Sequence, residues 1–127
     1  MSEKPFYNLE VYIDTCFLEE ESRPEDEHYA FAYTIIIKNK GNASAQLISR
    51  HWFVTDANGD VHEVQGLGVV GEQPRLSPGN QFKYTSGAIL ATPVGSMQGT
   101  YTMLSEDGRE FDVNIPPFRL AAPHLIH

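Results

Sequence analysis

Gly66-Leu67-Gly68-Val69-Val70-Gly71 fits the pattern G-x-G-x-x-G, the spacing by which a strand–turn–helix unit cradles the pyrophosphate of a dinucleotide. That chemistry needs a strand before the glycines and a helix after them, whose free N–H groups and dipole meet the phosphates. It also needs an acidic residue about 20 positions further on for the ribose. The strand is present, at Val61 to Val64. The helix is not, because Pro74 and Pro78 follow too soon, with Ser77 and Gly79 between and beside them. No acidic residue stands near Ser86. The span does not read as a Rossmann site. Two readings of the glycines stay open. Either they let the chain turn and pack, through positive φ, a bulge or close backbone approach, or the N–H groups of Gly66, Gly68 and Gly71 form a concave nest for a small phosphate-containing anion. Without a helix dipole such a nest needs a cation, and Arg75 or Arg50 offers a forked guanidinium that suits two phosphate oxygens.

The remaining polar side chains assemble no reaction centre. His28, His51, His62, His124 and His127 lack the H-x-x-x-H spacing of a metal site, and Cys16 is the only cysteine. His51 and His62 can meet across a hairpin, but two ligands alone bind a metal weakly. Ser86-Gly87 and Ser96 lack the G-x-S-x-G elbow of a nucleophilic serine. Asp56, Asn58 and Asp60 resemble the start of an EF-hand loop, but Gly59 is out of place and the twelfth position is Leu67 in place of Glu. The acidic run from Glu19 to Glu27 has nothing to fix its oxygens around an ion and reads as a solvated loop. The expectation is a non-enzymatic protein with no catalytic residues, no metal ligands and no cofactor.

The elements that would carry such a loop are strands. Tyr7, Leu9, Val11 and Ile13 alternate with polar residues, and Tyr29, Phe31, Tyr33, Ile35 and Ile37 alternate with small or β-branched ones. A third strand spans about Ala45 to Thr55 and turns at Asn58-Gly59, the pair favoured in type I′ hairpins, into Val61–Val64. Residues 66–79 show no clean period. Ser77-Pro78-Gly79-Asn80 suits a type II turn, Gln81 to Ser86 alternates again, and Gly99–Ser105 pairs with Glu110–Ile115 around Asp107-Gly108. Pro116-Pro117 is expected to end that strand, with Phe118 to Ala122 adding a short last one. Many short strands and no amphipathic helix give an all-β fold, an antiparallel two-sheet sandwich of immunoglobulin or fibronectin type III kind, occupying residues 1–127 as a single domain. Trp52 on the third strand and Tyr101, two residues before Met103, hold places that immunoglobulin-type sandwiches give to a core tryptophan and a corner tyrosine.

Composition narrows the partners. A formal net charge of −8 over 127 residues repels duplex nucleic acid and anionic membranes. A local basic spot can still hold one phosphate. With 41% hydrophobic residues the chain can build a core without metal or disulfide staples. A lone cysteine, no apolar leader after Met1 and no run long enough to cross a bilayer fit a cytoplasmic protein. The strand Tyr7–Ile13 is a plausible free edge, so a homodimer is expected.

Taken together, Arg50-x-Trp52, Asp56-x-x-Gly59, Gly66-x-Gly68-Val69-Val70-Gly71-x-x-Pro74-x-Leu76-x-Pro78-Gly79, Phe82-x-Tyr84-x-Ser86-Gly87, Thr92-Pro93-x-Gly95-x-Met97-x-Gly99-x-Tyr101 and Ile115-Pro116-x-Phe118 resemble the ApaG family. The resemblance covers essentially the whole chain. It implies a fibronectin type III-like sandwich and a link to cobalt and magnesium resistance or efflux. It also implies a gene neighbourhood that includes diadenosine tetraphosphate hydrolysis. Eukaryotic relatives use the domain in protein-interaction settings, which implies an unidentified protein partner. Any part in ion efflux is then indirect, since such a sandwich without a membrane span is no pump.

Overall fold

The computed structural model describes residues 4–123. Over that span the chain forms strands β1 (Leu9–Phe17), β2 (Tyr29–Asn39), β3 (Ala45–Asp56), β4 (Val61–Leu67), β5 (Arg75–Leu76), β6 (Gln81–Leu90), β7 (Val94–Ser105) and β8 (Glu110–Ala121). They make two antiparallel sheets. One has the order β1-β2-β6, the other β4-β3-β7-β8, with β5 also pairing with β3. The acidic segment forms two 3-10 turns, Glu19–Glu21 and Pro24–Asp26, neither of which buries a residue. Among the described residues no helix is long and apolar enough to cross a membrane. His124 and His127 lie outside the described residues.

The inner faces meet around aromatic rings. Phe31, Tyr33, Ile35 and Ile37 of β2 are all buried, as their alternation predicts. Trp52 lies edge-on to Tyr33, Tyr101 and Phe118, with ring centroids 5.6, 6.2 and 5.9 Å away. Tyr101 and Met103 are fully buried as well. Tyr101 is not a corner tyrosine of the immunoglobulin kind, however. Its hydroxyl bonds the Tyr84 hydroxyl of the opposite sheet instead of backbone. Burial holds both phenols well above the ordinary tyrosine pKa.

Several strand ends differ from the sequence expectation, for identifiable reasons. β1 continues past Ile13 although Asp14, Thr15 and Cys16 are exposed, because Asp14 to Phe17 keep their pairing with Thr34 to Phe31. Backbone pairing carries the chain through those exposed residues to Phe17, whose ring packs on Phe31 with centroids 5.4 Å apart. Pro116-Pro117 do not stop β8. Met97 pairs with Phe118 and Gly99 with Ile115, so β8 spends one extra residue there as a bulge. β8 is also the last strand of its sheet, where a missing N–H can face outward. The Asn58-Gly59 turn is not type I′, since Gly59 has φ +86° but Asn58 is not among the positive-φ residues. Asp56 organises it, its Oδ1 accepting from the amides of Asn58 (2.8 Å) and Asp60 (3.1 Å). This matches a type I turn closed by a left-handed glycine. Ser77-Pro78-Gly79-Asn80 turns as expected, with Gly79 at φ +87° and the Asn80 amide on Ser77 O at 2.9 Å.

Candidate functional site

A bulge in β3 decides which residues face inward. Ala45 and Leu47 are buried at odd positions, whereas Trp52, Val54 and Asp56 are buried at even ones. The register shift between Leu47 and Ser49 accounts for the change of phase. Arg50 therefore shares the inward face with Trp52, an unusual place for a guanidinium. Directly opposite it on β4 stands Gly66. A Cβ there would lie 2.8 Å from Arg50 Nη1, so the absent side chain is what lets the arginine lie across the strand. Nη1 donates to the carbonyl oxygens of Leu67 (3.1 Å) and Gly68 (2.9 Å).

The other two glycines of the motif shape a tight turn. Val69 and Glu72 exchange both backbone hydrogen bonds, at 2.8 and 2.9 Å. Val70 (φ +45°) and Gly71 (φ +81°) between them are both left-handed, the backbone pattern of a type I′ turn. The turn is tied to the bulge, since the Ile48 carbonyl accepts from the Gly68 amide (2.8 Å) and from Gln73 Nε2 (2.9 Å). Val69 is fully buried beneath it, while Val70 is 52% exposed. A β-branched residue with positive φ is strained, and such strain gathers at functional sites. Val70→Asn, which suits the left-handed region, is expected to raise stability by about 1 kcal/mol. A denaturant melt checks this, and an unchanged or lower midpoint would argue against strain at Val70.

Arg50 lies at the centre of a groove between β4 and β6, the facing end strands of the two sheets. One cavity of about 380 Å³ is lined by Arg50, Trp52, His62, Val64 and Ser86 through Ile89, among others. A second, of about 270 Å³, shares Tyr33, Arg50, Trp52 and Ser86 with it and adds Tyr84, Leu67, Val69, Val70 and Gly71. Neither lining contains an Asp, Glu or Lys. Among the described residues the single ion pair is His51 Nε2 to Glu63 Oε1, at 3.1 Å. Arg50 thus has no carboxylate partner, and its Nε and Nη2 donate to no protein acceptor there.

The residues singled out from sequence divide. Arg50, Gly66, Gly68 and Gly71 come together. Arg75 does not join them: it lies on β5 paired with Gln46 of β3, is exposed, and lines neither cavity around Arg50. The Gly68 amide points at Ile48 O, not into an open nest. His51 and His62 do not meet across the hairpin, because His51 pairs with Gln65 and His62 with Val54. That register sends His62 to the groove, and leaves His51 with Glu63 and Gln65 away from it. Ser86 and His62 line one cavity but share no hydrogen bond, and no carboxylate orients His62. Among the described residues no three His, Cys, Asp or Glu side chains form a metal-holding group. The sequence marks Tyr33 of β2 and Tyr84 of β6 only as alternating strand residues and Ser86 only as a nucleophile to be weighed, so it does not place them, or the apolar rim, around Arg50.

Comparison with known proteins agrees with this architecture. The model of the ApaG domain matches residues 19–105. Protein ApaG of Thiobacillus denitrificans is 56% identical over 127 residues, the full length of both chains. Protein ApaG of Pseudomonas putida is 51% identical over 123 residues, 97% of this chain and 98% of the relative. A Bordetella pertussis crystal structure carrying the name ApaA superposes with a TM-score of 0.90 at 50% identity, covering 92% of this chain and 95% of that one. With the domain matched over residues 19–105 and relatives similar over the full length, the chain belongs to the ApaG family.

Proposed function

We propose that the protein is a non-catalytic interaction module and that the group it grips is anionic, held by Arg50 in the groove between β4 and β6. One observation carries this reading: a partly buried, inward-facing guanidinium with no carboxylate beside it, set among tyrosine and serine hydroxyls. Removing an arginine from bulk water without a counter-charge is costly unless a ligand completes the pairing. The absence of a hydrogen-bonded nucleophile–base pair in the groove supports a binding role over a reaction. The link to cobalt and magnesium that the resemblance implies fits an effect exerted through whatever is bound, since no three His, Cys, Asp or Glu side chains gather among the described residues.

Pyrophosphate serves as the probe. Calorimetry and amide chemical shifts should report binding centred on Arg50 and the 66–71 turn. Arg50→Gln should weaken it at least tenfold, about 1.4 kcal/mol or more, since hydrogen bonds to charged groups contribute about 1.5–3 kcal/mol. Arg75→Ala should leave it unchanged. No heat and no shifts with millimolar pyrophosphate, phosphate or acetate would remove the anion site. Hydrolysis of diadenosine polyphosphates that is lost with His62→Ala would overturn the non-catalytic reading.

A further inference from the structure

The geometry points to an extended peptide as the ligand: a segment that adds a strand to the free edge of β6 and places one acidic side chain on Arg50. The inference rests on the proposed anion grip and names what carries the anion.

Three observations favour a peptide over a phosphate ester. The first is the edge itself. Ser86, Gly87, Ala88 and Ile89 line the larger cavity as four consecutive residues. A sheet face would offer alternate residues; consecutive ones mean that the backbone edge is exposed to the groove. β6 is the end strand of its sheet, and Gly87 leaves its backbone uncovered. β4, across the groove, offers only His62 and Val64 to this cavity, as a face would. Its last carbonyl, Leu67 O, is already taken by Arg50. The strand to be extended is therefore β6.

The second observation is charge. Arg50 is the one cation of the linings, in a chain of net charge −8. A polyanion meets one compensating charge and a repulsive field. A single carboxylate is matched one to one, and the remaining field is screened over a Debye length of about 8 Å. The third is the rim. Val64, Leu67, Val70 and Ile89 are 42%, 75%, 52% and 58% exposed, and they border Arg50 on both sides of the groove. An apolar surface around one cation suits aliphatic side chains flanking one acid. In an added strand, inward side chains recur every second residue. The recognised pattern is therefore an Asp or Glu with an aliphatic or aromatic residue two positions away.

Selection from a phage-displayed random dodecapeptide library on the full chain tests this, followed by fluorescence anisotropy with a synthetic peptide of the enriched sequence. The expected result is enrichment of the acidic-x-apolar or apolar-x-acidic pattern. Binding should weaken at least tenfold with Arg50→Gln, with Ile89→Asp, and with the amide analogue of the peptide's acid. Amide exchange should slow at those two of the four residues from Ser86 to Ile89 whose N–H groups point away from β2. Should Arg50→Gln fail to fold, the amide analogue makes the same test on the unaltered protein. No enrichment, enrichment without the pattern, or binding within threefold on Arg50→Gln overturns the inference. So does a dimeric mass in light scattering that Ile89→Asp returns to the monomer, which would put a second copy on β6. If pyrophosphate still binds at Arg50 in those cases, the anion grip stands and only the peptide falls. If pyrophosphate and peptide both fail, both readings fall.

Discussion

Trp52→Ala is expected to lower stability by about 3–5 kcal/mol, the range for truncating a large buried aromatic residue. Trp52 is 2% exposed and touches rings from three other strands, Tyr33 of β2, Tyr101 of β7 and Phe118 of β8. Truncation removes the transfer free energy of the indole and leaves a void that neighbours fixed by backbone pairing cannot fill. The three edge-on contacts add about 0.5–1.5 kcal/mol each beyond their area. For a chain of this size the loss corresponds to a fall in Tm of about 10–20 °C. Trp52 is the single tryptophan, so unfolding should be followed by circular dichroism and not by fluorescence. Trp52→Phe should recover more than half of the loss. A loss below about 1.5 kcal/mol would mean that the site collapses readily and that this cluster is not the centre of the packing.

The fold was legible wherever one face of a strand is buried and the other is not. Phe31, Tyr33, Ile35 and Ile37 record that asymmetry as a period of two. It was illegible where the residue types do not record the burial. The end of β1 exposes Asp14, Thr15 and Cys16 in succession, and at the end of β6 the half-buried Ala88 and the buried Leu90 alternate with an exposed glycine and an exposed isoleucine, so no polar–apolar period is left to read. Pro116-Pro117 misled for a related reason. Proline ends a central strand, but the position of β8 at the sheet's end follows from tertiary pairing that local sequence does not encode.

The site was half legible. The glycine spacing and Arg50 stood out, but the nest that joined them with Arg75 presumed that neighbours in sequence converge. The bulge in β3 is what sets the actual arrangement, and one signal pointed to it. Apolar residues occupy odd positions at Ala45 and Leu47 and even ones at Trp52 and Val54. A strand cannot bury both sets on one side without an extra residue between them. Counting that residue places Arg50 inside, opposite Gly66. The pairing of β4 with β3, which puts a glycine there, was open to inference only after the hairpin register was known.

The three glycines of the opening motif should separate cleanly under substitution by alanine, because each is required for a different reason. Gly68→Ala should cost about 3 kcal/mol or more. Its φ of +63° alone costs an alanine about 1–2 kcal/mol. In addition, a Cβ would collide with the Glu72 carbonyl oxygen, which is rigid backbone. Relief requires opening the turn, with loss of the paired Val69–Glu72 hydrogen bonds and of the Gly68 link to the Ile48 bulge. Gly71→Ala should cost only the conformational part, about 1 kcal/mol, since φ is +81° but nothing lies within 4 Å of the added Cβ. Gly66→Ala should change stability by less than about 1 kcal/mol, because the obstacle is the movable end of Arg50 and the backbone carries no left-handed strain. Displacing that guanidinium should nevertheless weaken pyrophosphate binding severalfold. Denaturant melts of the three variants, each paired with a pyrophosphate titration, would show stability falling most at Gly68 and binding falling at Gly66 in a protein that remains folded. If Gly68→Ala proves as mild as Gly71→Ala, the turn does not close on Glu72. If Gly66→Ala binds pyrophosphate as the unaltered chain does, Arg50 does not need the space that Gly66 leaves.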